Sequence, residues 1–93
     1  MENFKISINE IHDGIQKLYR FPNNRGASVV RHQFSYGGWE DLWELAVIKF
    51  GSESNSDWDL DYDTEITSNV LGHLSDDDVD HYLRQIRALY PAF

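Results

Sequence analysis

The sequence predicts an α+β fold: a three-stranded antiparallel meander with an amino-terminal and a carboxy-terminal helix packed on it. Three observations predict it. Apolar residues recur at helical spacing near both ends of the chain. The middle carries β-branched and aromatic runs separated by glycine-rich or polar turns. Finally, Trp58, Leu60 and Tyr62 alternate strictly with Asp57, Asp59, Asp61 and Asp63, the period of a strand with two unlike faces.

Ser7, Ile8, Asn9 and Glu10 have the form of a capping box, and Ile11, Ile15, Leu18 and Tyr19 follow as a helical stripe, so a first helix is predicted over 8–20. The Phe21-Pro22-Asn23-Asn24-Arg25-Gly26 turn signal ends it. Val29, Val30, His32 and Phe34 predict a first strand that runs to Tyr36-Gly37-Gly38. Residues 42–50, apolar except for Glu44 and Lys49, read as a strand covered on both faces. The polar loop 51–56 then leads into a hairpin partner over 57–63. Ile66, Val70, Leu71 and Leu74 suggest short helical turns. Ser75, followed by three aspartates, is an N-cap, and Val79, Tyr82, Leu83, Ile86 and Leu89 form the stripe of a last helix closed by Pro91.

At 93 residues, with 41% hydrophobic and 14% aromatic composition, the chain is one domain that buries roughly 60 to 65% of its unfolded surface. Cysteine is absent, which excludes disulfides and thiolate metal sites. The first twenty residues lack a basic start and an apolar run, so no secretory signal is expected and the location is expected to be cytoplasmic. No apolar stretch approaches the length of a membrane span.

The net charge of −8 is unevenly placed. Residues 1–50 carry six acids and six bases, residues 51–80 ten acids and no base, and residues 81–93 two arginines and no acid. Direct binding to nucleic acid or to an anionic membrane is therefore not expected, and the acidic third is a candidate interaction surface. Asp76, Asp77 and Asp78 have a local reason to exist, since carboxylates are favoured in a first helical turn. The strand aspartates have none, because aspartate is depleted in strands and like charges on one face repel. They form either a solvated edge protected from aggregation, partly neutralised by Lys49 and Arg31, or a face that imitates the phosphates of a nucleic-acid strand, since alternate residues repeat about every 6.6 to 6.8 Å.

Motifs for chemistry fail on inspection. Asp57, Asp59 and Asp61 match the start of a calcium loop, but Tyr62 stands where glycine is required and Ser68 where a bidentate glutamate is required. His12, His32, His73 and His81 show no paired ligand spacing, and His81 is expected to pair with Asp77 on the last helix. Gly37-Gly38 lacks the lysine of a phosphate loop. No catalytic residue, cofactor or metal site is expected. Most aromatics, Phe34, Trp43 and Phe50 among them, are expected in the core, whereas Trp39 beside Glu40 and Asp41 is expected to stand exposed as an interface anchor.

The blocks Ser28-Val29-Val30-Arg31-His32, Ser35-Tyr36-Gly37-Gly38, Glu44-Leu45-Ala46-Val47, Tyr62-Asp63-Thr64-Glu65-Ile66-Thr67 and Val70-Leu71-Gly72 resemble small proteins of unassigned function encoded in phage and prophage genomes. The resemblance covers roughly residues 27–90 and brings no catalytic residues; it implies a protein that binds a host component. The expected function is thus non-catalytic. The chain would bind and inhibit a host nucleic-acid-binding protein with a basic surface, through Asp57, Asp59, Asp61, Asp63, Glu65, Asp76, Asp77, Asp80 and Trp39. The alternative is a small phage structural or assembly accessory, one able to form a homodimer paired through an edge strand.

Overall fold

In a computed structural model, which describes residues 1–92, the amino-terminal segment is a β-hairpin where a helix was expected. After a 3-10 turn at Glu2–Phe4, β1 (Lys5–Ile11) pairs antiparallel with β2 (Gly14–Arg20). His12 and Asp13 form the two-residue turn between them, with φ of 48° and 61°, the left-handed conformation that matches the twist of a hairpin. Pairing in register separates the supposed helical stripe. Ile15 and Tyr19 point to one face of the sheet, and Ile11 and Leu18 to the other. Four isoleucines in ten residues favour that extended backbone, and no capping box forms at Ser7 because the residue lies inside a strand.

The meander continues with β3 (Arg25–Arg31), β4 (Trp43–Phe50) and β5 (Trp58–Leu60) in sequential antiparallel order. A sixth strand, β6 (Leu71–Leu74), pairs with the start of β4 on the side where β5 pairs with its end. The fold is therefore a six-stranded antiparallel sheet with one long helix, α1 (Asp76–Arg87). Three strands and two helices were expected. The hairpin predicted between 42–50 and 57–63 is present but short: Ile48, Lys49 and Phe50 face Leu60, Asp59 and Trp58. Residues 66–70 form no helical turn, and 71–74 are extended. The first expected strand begins earlier and stops at Arg31, so Phe34 falls outside it.

Helix α1 crosses one face of the sheet. Val79, Leu83 and Ile86 are buried against Tyr19, Ala27, Val29, Trp43, Leu45 and Val47, every second residue of β2, β3 and β4. On the opposite face Leu18, Ile48 and Phe50 pack with Ile6 and Trp58. Arg20 closes that side. Its guanidinium lies 4.2 Å from the Phe50 ring centroid and donates to the carbonyls of Ser52, Glu53 and Ser54, which folds loop 51–56 back over the sheet.

Both ends of α1 are capped. The Asp78 amide donates to Ser75 Oγ at 3.1 Å and the Ser75 amide donates to Asp78 Oδ2 at 3.0 Å, a complete capping box. At the other end the buried amide of Asn23 donates to the carbonyls of Ile86, Arg87 and Leu89 at 2.9 to 3.1 Å. The Ile86 and Arg87 carbonyls belong to the last turn, whose acceptors lack the usual partner one turn on, and Leu89 lies just past the C-cap Ala88. His81 pairs with Gln85, at 2.8 Å, and not with Asp77.

Two predictions follow from this packing. Leu83→Ala or Ile86→Ala should cost about 2 to 5 kcal/mol, against about 1 kcal/mol for Ser75→Ala, in denaturant melts; equal costs would place α1 in another rotational phase. The hydrogen bonds from Ser75 hold the Asp78 carboxyl below its ordinary value of 3.8. A carboxyl lowered in the folded state stabilises above its unfolded value and loses that contribution as pH falls through the folded one. Acid titration of stability should therefore be shallower below about pH 4 in Asp78→Asn than in the parent chain; parallel curves would contradict the cap.

Candidate interaction surface

The strand that was to carry four aspartates on one face is three residues long, and its edge position breaks the series. Asp59 stands opposite Lys49, with its own Oδ1 accepting from the Leu60 amide at 2.8 Å. Asp61 turns inward. It is 4% exposed, with Oδ2 2.6 Å from Arg25 Nη1 and Oδ1 accepting from the Asp63 amide at 3.0 Å. The Arg25 Nε donates to the Tyr90 carbonyl at 2.8 Å, so this one pair ties β3, the segment after β5 and the carboxy-terminal segment together. Asp61 is thus a structural residue withdrawn from any partner, and its counter-ion is Arg25. Arg31, expected to neutralise the strand aspartates, instead lies over the Trp43 ring at 4.3 Å.

The remaining acids point outward. Of the ten between residues 51 and 80, eight are exposed, Asp80 is half-buried and Asp61 is buried. They fall in two groups. Glu53, Asp57, Asp59, Asp63 and Glu65 lie at the β5 end of β4; Asp76, Asp77, Asp78 and Asp80 lie at the start of α1, where Asp76 Oδ1 accepts from Trp43 Nε1 at 2.8 Å. Trp43 and Phe50 are the two ends of β4, roughly 20 to 25 Å apart at about 3.3 Å per residue. Asp80 is further engaged by Arg84 Nε at 2.8 Å, whose hydrogen bond holds its carboxyl below the ordinary value. The 53–65 and 76–80 groups therefore flank the sheet from its two ends and do not merge into one row of carboxylates.

Trp39 is 84% exposed, as its sequence context predicted, and it has company. Phe34 and Tyr36, in the same β3–β4 connection, are 71% and 63% exposed, although Phe34 was expected in the core. Burying such a side chain is worth about 1.5 to 3 kcal/mol, so three left in water represent a large forgone stabilisation. The connection itself is ordered. Ser35, 7% exposed, accepts from the His32 amide and donates to the His32 carbonyl, each at 2.9 Å. The Gly38 amide then donates to the Ser35 carbonyl at 3.1 Å, and the Leu42 amide to the Gly37 carbonyl at 2.9 Å. Gly37, at φ 92°, makes the reversal that raises Trp39 on a single 3-10 turn at Gly38–Glu40. The His12 and His32 rings meet at a tilt with centroids 5.0 Å apart, and Phe34 meets His12 edge-on at 5.1 Å, joining this connection to the β1–β2 turn.

Between these two turns lies an open cleft of about 790 Å³, lined by Glu10, His12, Asp13, Arg31, Trp39 and Asp41 among others. Sequence reasoning missed this end of the sheet, except for Trp39, because the β1–β2 turn had been assigned to a helix. Among the described residues no group of three or more metal-ligating side chains converges, and no helix is long and apolar enough to cross a membrane. Comparison of the chain with protein-family models, with curated proteins and with solved structures finds no match in any of the three.

The split of the four aspartates is measurable. Asp61→Asn should cost on the order of 2 to 3 kcal/mol, toward the low side for a broken buried pair because Arg25 retains 19% exposure. Asp59→Asn should stay within about 0.5 kcal/mol of the parent. Equal effects in urea melts would contradict the assignment of Asp61 to the framework.

Proposed function

We propose that the chain is a non-catalytic acidic interaction protein that binds and inhibits a nucleic-acid-binding protein by occupying its basic surface. One observation carries this reading: in a stretch of thirty residues with ten acids and no base, eight of the acids remain exposed after folding. Such a field repels nucleic acid and attracts the cationic clefts that bind it, raising association rates in a salt-dependent way. With Asp61 committed to Arg25, the contacting carboxylates are Asp57, Asp59, Asp63 and Glu65 at one end and Asp77 and Asp80 at the other. This arrangement suits a basic groove met at two points. The phage-like blocks favour a host protein as the target and the host cytoplasm as the place of action.

The open edge of β1 favours a second reading, the homodimeric accessory protein. Among the described residues nothing pairs with the outer side of this seven-residue strand, and Ile8 on it is 57% exposed, which is the geometry of edge-to-edge pairing. Sedimentation equilibrium separates the two: a dimer lost on Ile8→Lys substitution supports the accessory role, and a monomer at all concentrations removes it.

The leading reading is tested by competition. The partner captured from a host lysate should be released by duplex DNA and by raising salt from 0.1 M to 1 M, over which the Debye length falls from about 10 Å to about 3 Å. The Asp57→Asn/Asp59→Asn/Asp63→Asn variant should capture several-fold less while its melt stays unchanged. Capture indifferent to the DNA and to the three substitutions would reject the proposal.

A further inference from the structure

We infer that the cleft between the β1–β2 turn and the β3–β4 connection is the docking site for an arginine- or lysine-bearing segment of a protein partner, with the Trp39 ring as the platform for the cation. The inference rests on the reading that the partner is basic, and it adds a surface that the acidic stretch 51–80 does not contain.

Three features carry it. The aromatic group is exposed on a tethered backbone: Ser35 Oγ accepts from the His32 amide, the Gly38 amide donates to the Ser35 carbonyl, the Gly37 carbonyl accepts from the Glu40 and Leu42 amides, and the His73 amide donates to the Tyr36 carbonyl at 3.1 Å, which together fix the backbone that presents Phe34, Tyr36 and Trp39. An ordered aromatic anchor loses little freedom on binding, which is why such side chains dominate binding energies. The charge around the ring is predominantly negative. Glu10, Asp13 and Asp41 line the cleft with Trp39; among the described residues Arg31 is the one lysine or arginine there, and it is engaged by the Trp43 ring and the Asp41 carbonyl. An incoming guanidinium or ammonium would therefore find an electron-rich ring face and three carboxylates against one arginine, none of them ion-paired to it, and an acidic or phosphate-bearing segment would meet that excess of negative charge. The size also fits: a cleft of about 790 Å³ admits several residues of extended chain, more than a single ion needs. The same sheet shows the interaction internally, since Lys17 and Arg31 lie 4.8 Å and 4.3 Å from the Trp43 ring centroid.

The experiment titrates the isotope-labelled full chain with a synthetic octapeptide of alternating arginine and glycine, alongside the same peptide with citrulline in place of arginine. The arginine peptide should shift the Trp39 indole resonance and the amides of His12, His32 and Asp41, and the citrulline peptide should not. Trp39→Ala should weaken the peptide about tenfold, Trp39→Phe less, and Glu10→Gln/Asp41→Asn severalfold, with each variant's remaining spectrum intact. The Asp57→Asn/Asp59→Asn/Asp63→Asn variant should bind the peptide within about twofold of the parent. Shifts confined to residues 57–65 would overturn this inference and leave the basic-partner reading standing. Absence of binding, equal binding of the citrulline peptide, an indole shift produced by a single-stranded oligonucleotide, or one that grows with protein concentration alone would each overturn it. The last two results would assign the cleft to nucleic acid or to a second copy of the chain.

Discussion

Strand β4 is the element on which the rest of the structure depends. Leu45, Val47 and Ile48 are fully buried, and Trp43, Ala46 and Phe50 nearly so, on both faces of one strand. One side of its backbone is paired with β3 along most of its length; the other is shared end to end by β6 and β5. A slip of one residue would move Leu45 and Val47 off the helix face and place Glu44 and Ala46 under α1, so the alternation of side chains fixes the register of three neighbouring strands at once. The position of every surface feature follows from it. The start of β4 sets the aromatic connection and the first turn of α1, and its end sets the acidic β5 edge.

Charge is distributed around this framework by what each carboxylate can reach. Asp61 lies where the chain leaves β5 and meets Arg25 on the facing side of the sheet, so it is consumed in holding the fold. Asp78 is consumed in the helix cap. Those that remain, chiefly Asp57, Asp59, Asp63, Glu65 and Asp77, have no comparable partner on the framework. The strained β1–β2 turn belongs with them. A left-handed residue other than glycine costs on the order of 1 to 3 kcal/mol, and His12, Asp13, Asp41 and His73 all adopt that conformation at the end of the sheet that carries Trp39. That end of the sheet thus keeps its conformation against a local backbone cost.

Much of this was legible in the sequence where the signal is local. Ser75 and the aspartates behind it announced a helix start, the Val79, Leu83 and Ile86 spacing announced its buried face, and the two-sided apolarity of 42–50 announced a central strand. Trp39, stranded between a double glycine and two acids, was readable as exposed. The amino-terminal hairpin was misread because a capping-box pattern at Ser7 and Glu10 coincided with a helical spacing of apolar residues. The competing evidence is a run of isoleucines on both sides of His12-Asp13, two residue types that tolerate the left-handed turn conformation of a hairpin. The burial of Asp61 could not be read, since its partner Arg25 lies 36 residues earlier and only the folded sheet brings them together. Phe34 was assigned to the core on hydrophobicity alone, and the end of β3 at Arg31 leaves it beyond the sheet.

Native-state amide hydrogen exchange tests the central claim, that β4 organises the fold, more directly than any substitution. If the claim is correct, the amides of Leu45 to Ile48 exchange only through global unfolding, with an opening free energy equal to that from denaturant melts, and those of β3 share it while β5 opens more easily. Opening of Leu45 to Ile48 at lower free energy than β1 and β2, or protection across 8–20 with the periodicity of a helix, would contradict the account.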